Sequence, residues 1–334
     1  MAMSSTTAMT RTLGRSGIPV SAVGLGCWAI GGSGWVDVHD DESIRGIQRA
    51  FDLGVTLYDT ANGYGEGRSE RLLGQALAGK RQQVLIATKF AYDFDEETGE
   101  YFGERIKPDE IRSQCEASLR RLQTDYIDLY QFHWNELPAE EAGEVRDTLD
   151  ALVQAGKIRT YGWSTDFVDR AQFFAERPDC TAIQLEMNVI DDNPAMTAFI
   201  EEANLAGLNR GPLAMGLLTG KYTASSRMHK DDVRGEDAPD WMKYFKDGKP
   251  NPEWLNKVDA IRQILTSDGR TLAQGALAWL LTRSPQMLPI PGFRTVAQVE
   301  ENCKALQLPL LKQAQMDEID TLLGRPTKKV TAAG

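Results

Sequence analysis

Three apolar runs in this 334-residue chain each stop at a residue that can move or hold a proton. Val55–Asp59 (VTLYD) ends in a carboxylate, Val84–Lys89 (VLIATK) in an amine, and Ile127–His133 (IDLYQFH) in an imidazole. Five residues after Asp59, a turn-rich segment between Gly63 and Gly65 offers the phenol of Tyr64. A phenol stays protonated at neutral pH, its ordinary pKa being about 10. An adjacent ammonium favours the phenolate, so Lys89 is expected to lower the Tyr64 pKa towards the working range, with Asp59 keeping that lysine charged. His133 can donate a hydrogen bond to a substrate oxygen or relay a proton. Taken singly, Asp59 reads as a turn cap, Tyr64 as a packing residue and His133 as a core histidine. A lysine that ends a buried strand has no such ordinary explanation, because lysine is almost never buried alone. Taken together, the four residues Asp59, Tyr64, Lys89 and His133 describe a proton-transfer site.

Short apolar runs bounded by glycines and turns read as buried strands. Where parallel strands alternate with helices, their carboxyl ends share one rim, which lets the four groups converge. The alternation runs through the chain: strands at 55–59, 84–89, 127–132, 158–163, 182–185, 205–209 and 287–290 follow a first strand opening from Ser21–Gly32 (SAVGLGCWAIGG). Helical stripes fall between them, for example Ile44, Ile47 and Phe51 after a cap at Asp40 or Asp41, and Ile111, Cys115, Leu119 and Leu122 after Pro108. Residues 10–20 predict a hairpin around Gly14–Gly17, and 222–253 break the rhythm with a long polar loop after the seventh strand. This pattern predicts an α/β fold, a single (β/α)8 TIM barrel over 10–325 with an N-terminal β-hairpin, residues 1–9 and 326–334 forming flexible ends. A doubly wound sheet would want GxGxxG after its first strand, and neither GLG at 24–26 nor GYGEG at 63–67 supplies it.

The net charge of −11 argues against a nucleic-acid partner, and no apolar run approaches the length of a membrane span. Four scattered cysteines without a CxxC pair, and only three histidines, predict no metal site and reduced thiols in a cytoplasmic protein. No motif specifies an oligomer.

The chain resembles the aldo-keto reductases. The stretches that carry the likeness are GLGCW at 24–28, YDTANGYG at 58–65, ATKF at 87–90, YIDLYQFHW at 126–134, PLAMGLLTGKY at 212–222 and PIPGFRTVAQVEEN at 289–302. The resemblance implies a metal-free barrel that uses NADP(H) to reduce a small-molecule carbonyl, with Asp59, Tyr64, Lys89 and His133 as its tetrad and Tyr64 as general acid. It assigns Ser164 and Gln184 to the nicotinamide carboxamide, and Leu213 and Gly216 to the pyrophosphate channel. Gly292 would allow close backbone approach. Arg294 and Thr295 would take the adenosine 2′-phosphate, and Gln298, Glu301 and Asn302 the adenine end, at a helix N-terminus suited to an anion. Thr165 stands where the family usually has Asn. Arg210 stands where an aromatic residue commonly stacks on the nicotinamide; its guanidinium can stack there or turn aside to a carboxylate. Trp28, Trp35 and Trp134, with Trp241 or Tyr244, would line the substrate pocket. Two other readings compete: a non-catalytic cofactor-binding sensor on the same fold, and a barrel enzyme using Lys89 as a Schiff-base amine.

Overall fold

The computed structural model describes residues 9–326. The ends expected to be flexible lie outside the described residues, apart from Met9 and Pro326; Met9 is tied in by its carbonyl, which accepts from Ala22 N at 2.9 Å.

Eight parallel strands form the central sheet: β1 (Leu25–Gly26), β2 (Leu57–Asp59), β3 (Leu85–Phe90), β4 (Ile127–Phe132), β5 (Ile158–Ser164), β6 (Cys180–Glu186), β7 (Ala206–Arg210) and β8 (Met287–Pro289). They pair in chain order, and the sheet closes on itself. Gly24 N and Gly26 N donate to Pro289 O and Pro291 O at 2.9 and 3.0 Å, and Gly26 bridges Gly292. The apolar runs become strands because both their faces are covered; every residue of β3 and β4 is buried. The first strand is shorter than the Ser21–Gly32 run suggests, because Trp28–Gly31 coils into a helical turn.

The helices follow their apolar stripes: α1 (Asp40–Asp52), α2 (Arg68–Ala76), α3 (Pro108–Leu122), α4 (Gly143–Gln154), α5 (Val168–Ala175), α6 (Pro194–Glu202), α7 (Pro252–Leu265), α8 (Leu272–Arg283), α9 (Val296–Cys303) and α10 (Gln313–Leu322). Proline at the first helical position begins α3, α6 and α7, where the missing N–H costs nothing. The cap expected from Asp40 or Asp41 is not made. His39 is the N-cap residue, and Asp40 is drawn outward by Arg68, whose Nε donates to it at 3.0 Å.

Two apolar layers hold the barrel. One lies between sheet and helices. The other fills the interior with Leu57, Leu85, Ala87, Leu129, Ala182, Ala206, Leu208 and Leu288. Leu13 and Val20 belong to that interior layer, because the N-terminal hairpin (Thr10–Thr12 against Pro19–Ser21) stoppers the barrel at the strands' amino ends. Gly14 makes the fit possible: at φ +48° it lies where a Cβ would fall 2.4 Å from Thr181 O and 2.5 Å from Ala206 N. Only the carboxyl end of the barrel is left for a site. A second hairpin, Tyr92–Phe94 with Tyr101–Glu104, follows β3 and was not expected from the sequence. The long loop after β7 is more ordered than its polarity suggests, with Met242, Tyr244 and Phe245 buried and Arg234 paired to Asp232 at 2.7 Å.

Candidate active site

Asp59 is the last residue of β2, and Lys89 lies one residue before the end of β3. Their side chains meet over the barrel, with Lys89 Nζ donating to Asp59 Oδ1 at 2.6 Å, to Thr60 O at 2.8 Å and to Tyr64 Oη at 3.1 Å. These three acceptors use the three protons of an ammonium. The other carboxylate oxygen, Asp59 Oδ2, accepts from Gln131 Nε2 at 3.0 Å and Gln184 Nε2 at 2.8 Å. Lys89 is wholly buried, and Asp59 nearly so.

Tyr64 is held by the turn around it. Asn62 Nδ2 donates to Tyr92 O at 2.7 Å, tying the turn to β3's following hairpin. Gly65, at φ +63°, presses against the Trp28–Gly31 turn so closely that a Cβ would fall 1.9 Å from Gly31 O. Gly65 is therefore a steric requirement of the Tyr64 position, whereas a Cβ at Gly63 would meet nothing nearer than Tyr92 Cβ at 3.9 Å. His133 N donates to Phe90 O at 3.0 Å, and its ring meets Tyr64 edge-on at 6.0 Å and Tyr92 at 5.2 Å. His133 Nδ1 is buried without a hydrogen-bond partner among the described residues.

The electrostatics correct one expectation. Burial raises the Tyr64 pKa and outweighs the opposing pull of Lys89, so the net direction is upward, not down towards neutrality. Burial opposes the charge on Lys89, but Asp59 and Tyr64 outweigh it and its pKa is raised. Burial, reinforced by Lys89 and Arg210, pushes His133 well below the ordinary imidazole value, which leaves the ring neutral.

These groups open into a cleft of about 710 Å³ that runs across the barrel mouth from Trp28 and Tyr101 to Arg294 and Asn302. That size suits a drug-sized or larger ligand. Ser164 and Gln184 line it. The Gln184 amide is oriented by Asp59, a pure acceptor, so its NH2 faces inward and only its oxygen is left for a ligand. Thr165 is buried and does not reach the cleft wall. Arg210 lines the cleft, held by Asp166 and, at 3.4 Å, by Glu186. Of the two orientations open to it from sequence, the structure contains the carboxylate pairing.

Leu213 and Gly216 line the floor, where Ala214, Met215 and Gly216 all take positive φ. Arg234 reaches over them from the long loop, donating to Met215 O at 3.0 Å and Tyr222 Oη at 2.8 Å. At the far end, Arg294 Nη1 donates to Val36 O at 2.8 Å and makes no ion pair among the described residues. Gln298 accepts from Arg294 N at 2.8 Å, and Thr295 caps α9 through Gln298 N at 3.3 Å without lining the cleft. Glu301 and Asn302 line it. The backbone donor at the start of α9 is already engaged, since Val296 N donates to Glu42 Oε1 at 2.9 Å. At Gly292 the missing side chain leaves room: a Cβ would find nothing nearer than Gly26 O at 3.9 Å.

Trp28 and Trp35 line the cleft, packed edge to face at 5.2 Å, and Trp241 and Tyr244 join them from the long loop. Trp134 does not. Chain alternation sends His133 and Asn135 into the cleft and turns Trp134 back against the core, its carbonyl accepting from Trp163 Nε1 at 3.0 Å. Sequence reasoning missed Tyr92, Phe94 and Tyr101, which line the cleft from the second hairpin. The signal was present: alternating aromatics flank DEETG at 95–99, a hairpin pattern with a turn-forming centre. Arg234 carried no such signal, standing among charged residues of a loop.

Among the described residues no group of three or more His, Cys, Asp or Glu is placed to hold a metal ion. The residues do fit a dinucleotide: a polar end with Ser164 and the Gln184 amide oxygen, a floor that includes Gly216, and a far end where Arg294 makes no ion pair among the described residues.

Comparison with known proteins points the same way. The sequence profile of the Aldo/keto reductase family matches residues 22–323. Aldo-keto reductase YhdN of Bacillus subtilis (strain 168) is 35% identical over 315 residues, covering 92% of this chain and 91% of that protein. The NADH-specific methylglyoxal reductase of Escherichia coli (strain K12) is 31% identical over 316 residues, covering 89% and 93%. The solved structure of glycerol dehydrogenase AKR11B4 from Gluconobacter oxydans superposes with a TM-score of 0.81 at 32% identity, covering 97% of this chain and 99% of that one.

Proposed function

The chain belongs to the aldo/keto reductase family, and on that premise we propose that it is an NADPH-dependent carbonyl reductase with Tyr64 as its general acid. Residues 10–325 act as one catalytic domain, and the four buried free cysteines and acidic composition suit the cytoplasm. The observation that carries the reading is Lys89 Nζ, shared between Asp59, Thr60 O and Tyr64 Oη.

A bound reduced nicotinamide supplies the hydride that the carbonyl carbon accepts. The protein's part is to deliver a proton and to hold the oxygen as it gains charge. Tyr64 gives its proton to that oxygen, yielding the alcohol. Burial keeps the phenol protonated beforehand, and the Lys89 ammonium stabilises the phenolate that remains. Asp59 holds Lys89 charged and in place. His133, neutral, orients the substrate oxygen. Ser164 and the Gln184 oxygen would hold the carboxamide, Leu213 and Gly216 the pyrophosphate, and Arg294 the 2′-phosphate, with Gln298, Glu301 and Asn302 at the adenine end. Trp28 and Trp35 would wall the substrate.

The two competing readings are weaker. A Schiff-base lysine must shed a proton and meet substrate, whereas the Lys89 amine is fully buried with each proton engaged. A non-catalytic sensor has no use for an assembled tetrad. A NADH preference has one observation in its favour: the Glu42 carboxylate occupies the α9 start, where it would repel a 2′-phosphate. The name of the E. coli relative shows that NADH specificity occurs within the family.

The test is oxidation of NADPH and NADH against a panel of aldehydes, ketones and sugar aldehydes, for the native protein and Tyr64→Phe. The variant is expected to bind cofactor normally and to lose at least ~10²-fold in rate. The native rate is expected to fall only at a pH above the ordinary tyrosine value of about 10, because the Tyr64 pKa is raised. Near-native turnover by Tyr64→Phe removes Tyr64 from the mechanism.

A further inference from the structure

The cleft is electrically lopsided. Its cations are Arg210, at the tip of β7 and paired with Asp166 and Glu186, and Lys221, Arg234 and Arg294 from the loops after β7 and β8, where Glu301 also lines the wall. The loops after β2 and β4 contribute Glu66 and Glu136, neither of which has an ion-pair partner among the described residues. Glu66 stands two residues beyond Tyr64, its nearest side-chain donor being Ser33 Oγ at 3.4 Å. Glu136 stands three residues beyond His133 and accepts only from Asn135 Nδ2 at 3.1 Å. Its field reaches the site: burial first, then Glu136, raise the Tyr92 phenol to about 12.

The second hairpin adds to this. It carries Asp93, Asp95, Glu96, Glu97, Glu100 and Glu104 in twelve residues, 93–104. Among the described residues only Glu96 of these is ion-paired, to Arg121 at 2.6 Å and Arg71 at 3.9 Å. The same hairpin puts Tyr92, Phe94 and Tyr101 on the cleft wall, Tyr92 and Tyr101 at 6.3 Å from each other. Facing them, Trp28 lies 6.1 Å from Trp241 and 6.3 Å from Tyr64. The substrate end is thus a slot with aromatic walls on which the carboxylates of Glu66 and Glu136 open, the hairpin's own carboxylates lying outside the lining. Aromatic faces attract cations, and a rim of one sign steers ligands of the other.

We propose that this end of the cleft selects carbonyl substrates by charge, with Glu66, Glu136 and the aromatic side chains of the 92–104 hairpin favouring a cationic substituent, admitting a neutral one and rejecting a carboxylate or phosphate. The proposal rests on the carbonyl-reductase reading above and specifies its substrate class.

The experiment uses three benzaldehydes carrying a para substituent behind one methylene, which insulates the ring: trimethylammoniomethyl, isobutyl and carboxymethyl. Steady-state NADPH oxidation gives kcat/KM for each at low and high salt. The cation is expected to exceed the anion by about ten- to a hundredfold at low salt, the ratio shrinking several-fold near ~0.5 M, where screening is short-ranged. In Glu66→Gln/Glu136→Gln, kcat/KM for the cation is expected to fall while that for the anion rises. General damage to the fold lowers both. Each single variant is expected to show a part of the same opposed change, which covers the case of a double variant that fails to fold. A cation-to-anion ratio within about twofold of one, with the neutral aldehyde reduced, overturns charge selection and leaves the reductase reading intact. A ratio that neither salt nor the variants alter overturns the assignment to these carboxylates. If no aldehyde in this set or the earlier panel is reduced with either cofactor, the reductase reading fails and takes this inference with it.

Discussion

The two ends of the cleft are built on different principles. At the tetrad end, functional groups leave the tips of β2, β3 and β4 and satisfy one another: Lys89 has three acceptors, and Asp59 accepts at both oxygens. At the far end, proposed to take the adenosine, Arg294, Gln298 and Asn302 sit on a loop and a short helix, and hold mostly backbone groups. The first end is preorganised and stiff. The second keeps its charge unspent and is open to adjustment. On the proposed reading, catalysis needs the former, because donors must be aimed before the reaction begins, and cofactor choice would be tuned at the latter without touching the barrel.

The largest effect that would sharpen this contrast is expected at Lys89. Lys89→Met leaves Asp59 buried without its cation, a loss of roughly 3–5 kcal/mol in pairs of this kind. Urea unfolding and carbonyl reduction should therefore fail together, with stability down by about that amount and the rate down at least ~10²-fold. A stability change below about 1 kcal/mol would mean that the tetrad is no tighter than a surface pair, and the contrast would break.

At the other end, Arg294→Ala is expected to leave stability nearly unchanged. It should raise the NADPH Kd by about ten- to a hundredfold, one or two charge-assisted bonds being lost, and the NADH Kd by less than about threefold. Fluorescence titration of both cofactors at fixed moderate salt checks this. A common fall in both affinities would make Arg294 a scaffold for its loop. The smallest effect is expected from Glu42→Gln, which keeps an acceptor for Val296 N but removes charge from the start of α9. NADPH binding should tighten about two- to fivefold with NADH unaffected, the scale of a charge at a helix terminus. No change in either would show that the carboxylate lies outside the reach of the phosphate.

What was legible in the sequence follows the same division. The strand tips could be read because an apolar run that stops at Asp59, Lys89 or His133 declares both its burial and its exit. The N-terminal hairpin and the barrel order could be read from alternation and turn residues; that the hairpin plugs the barrel could not. Direction within loops could not: Trp134 turns away because its neighbours His133 and Asn135 take the cleft, which no composition shows. The Tyr64 pKa was misjudged because Lys89 is visible in sequence and burial is not. Burial proved the larger influence. Arg234 went unnoticed because its place over Met215 depends on a loop of some forty residues folding back, with Asp232 as its partner only two residues away.

The hairpin that seats Leu13 and Val20 in the barrel has a kinetic consequence. A vessel stoppered at one end has a single doorway, so everything the enzyme consumes or releases must queue at the same opening. On the proposed carbonyl-reductase reading, cofactor, carbonyl and alcohol would all share the cleft at the carboxyl face.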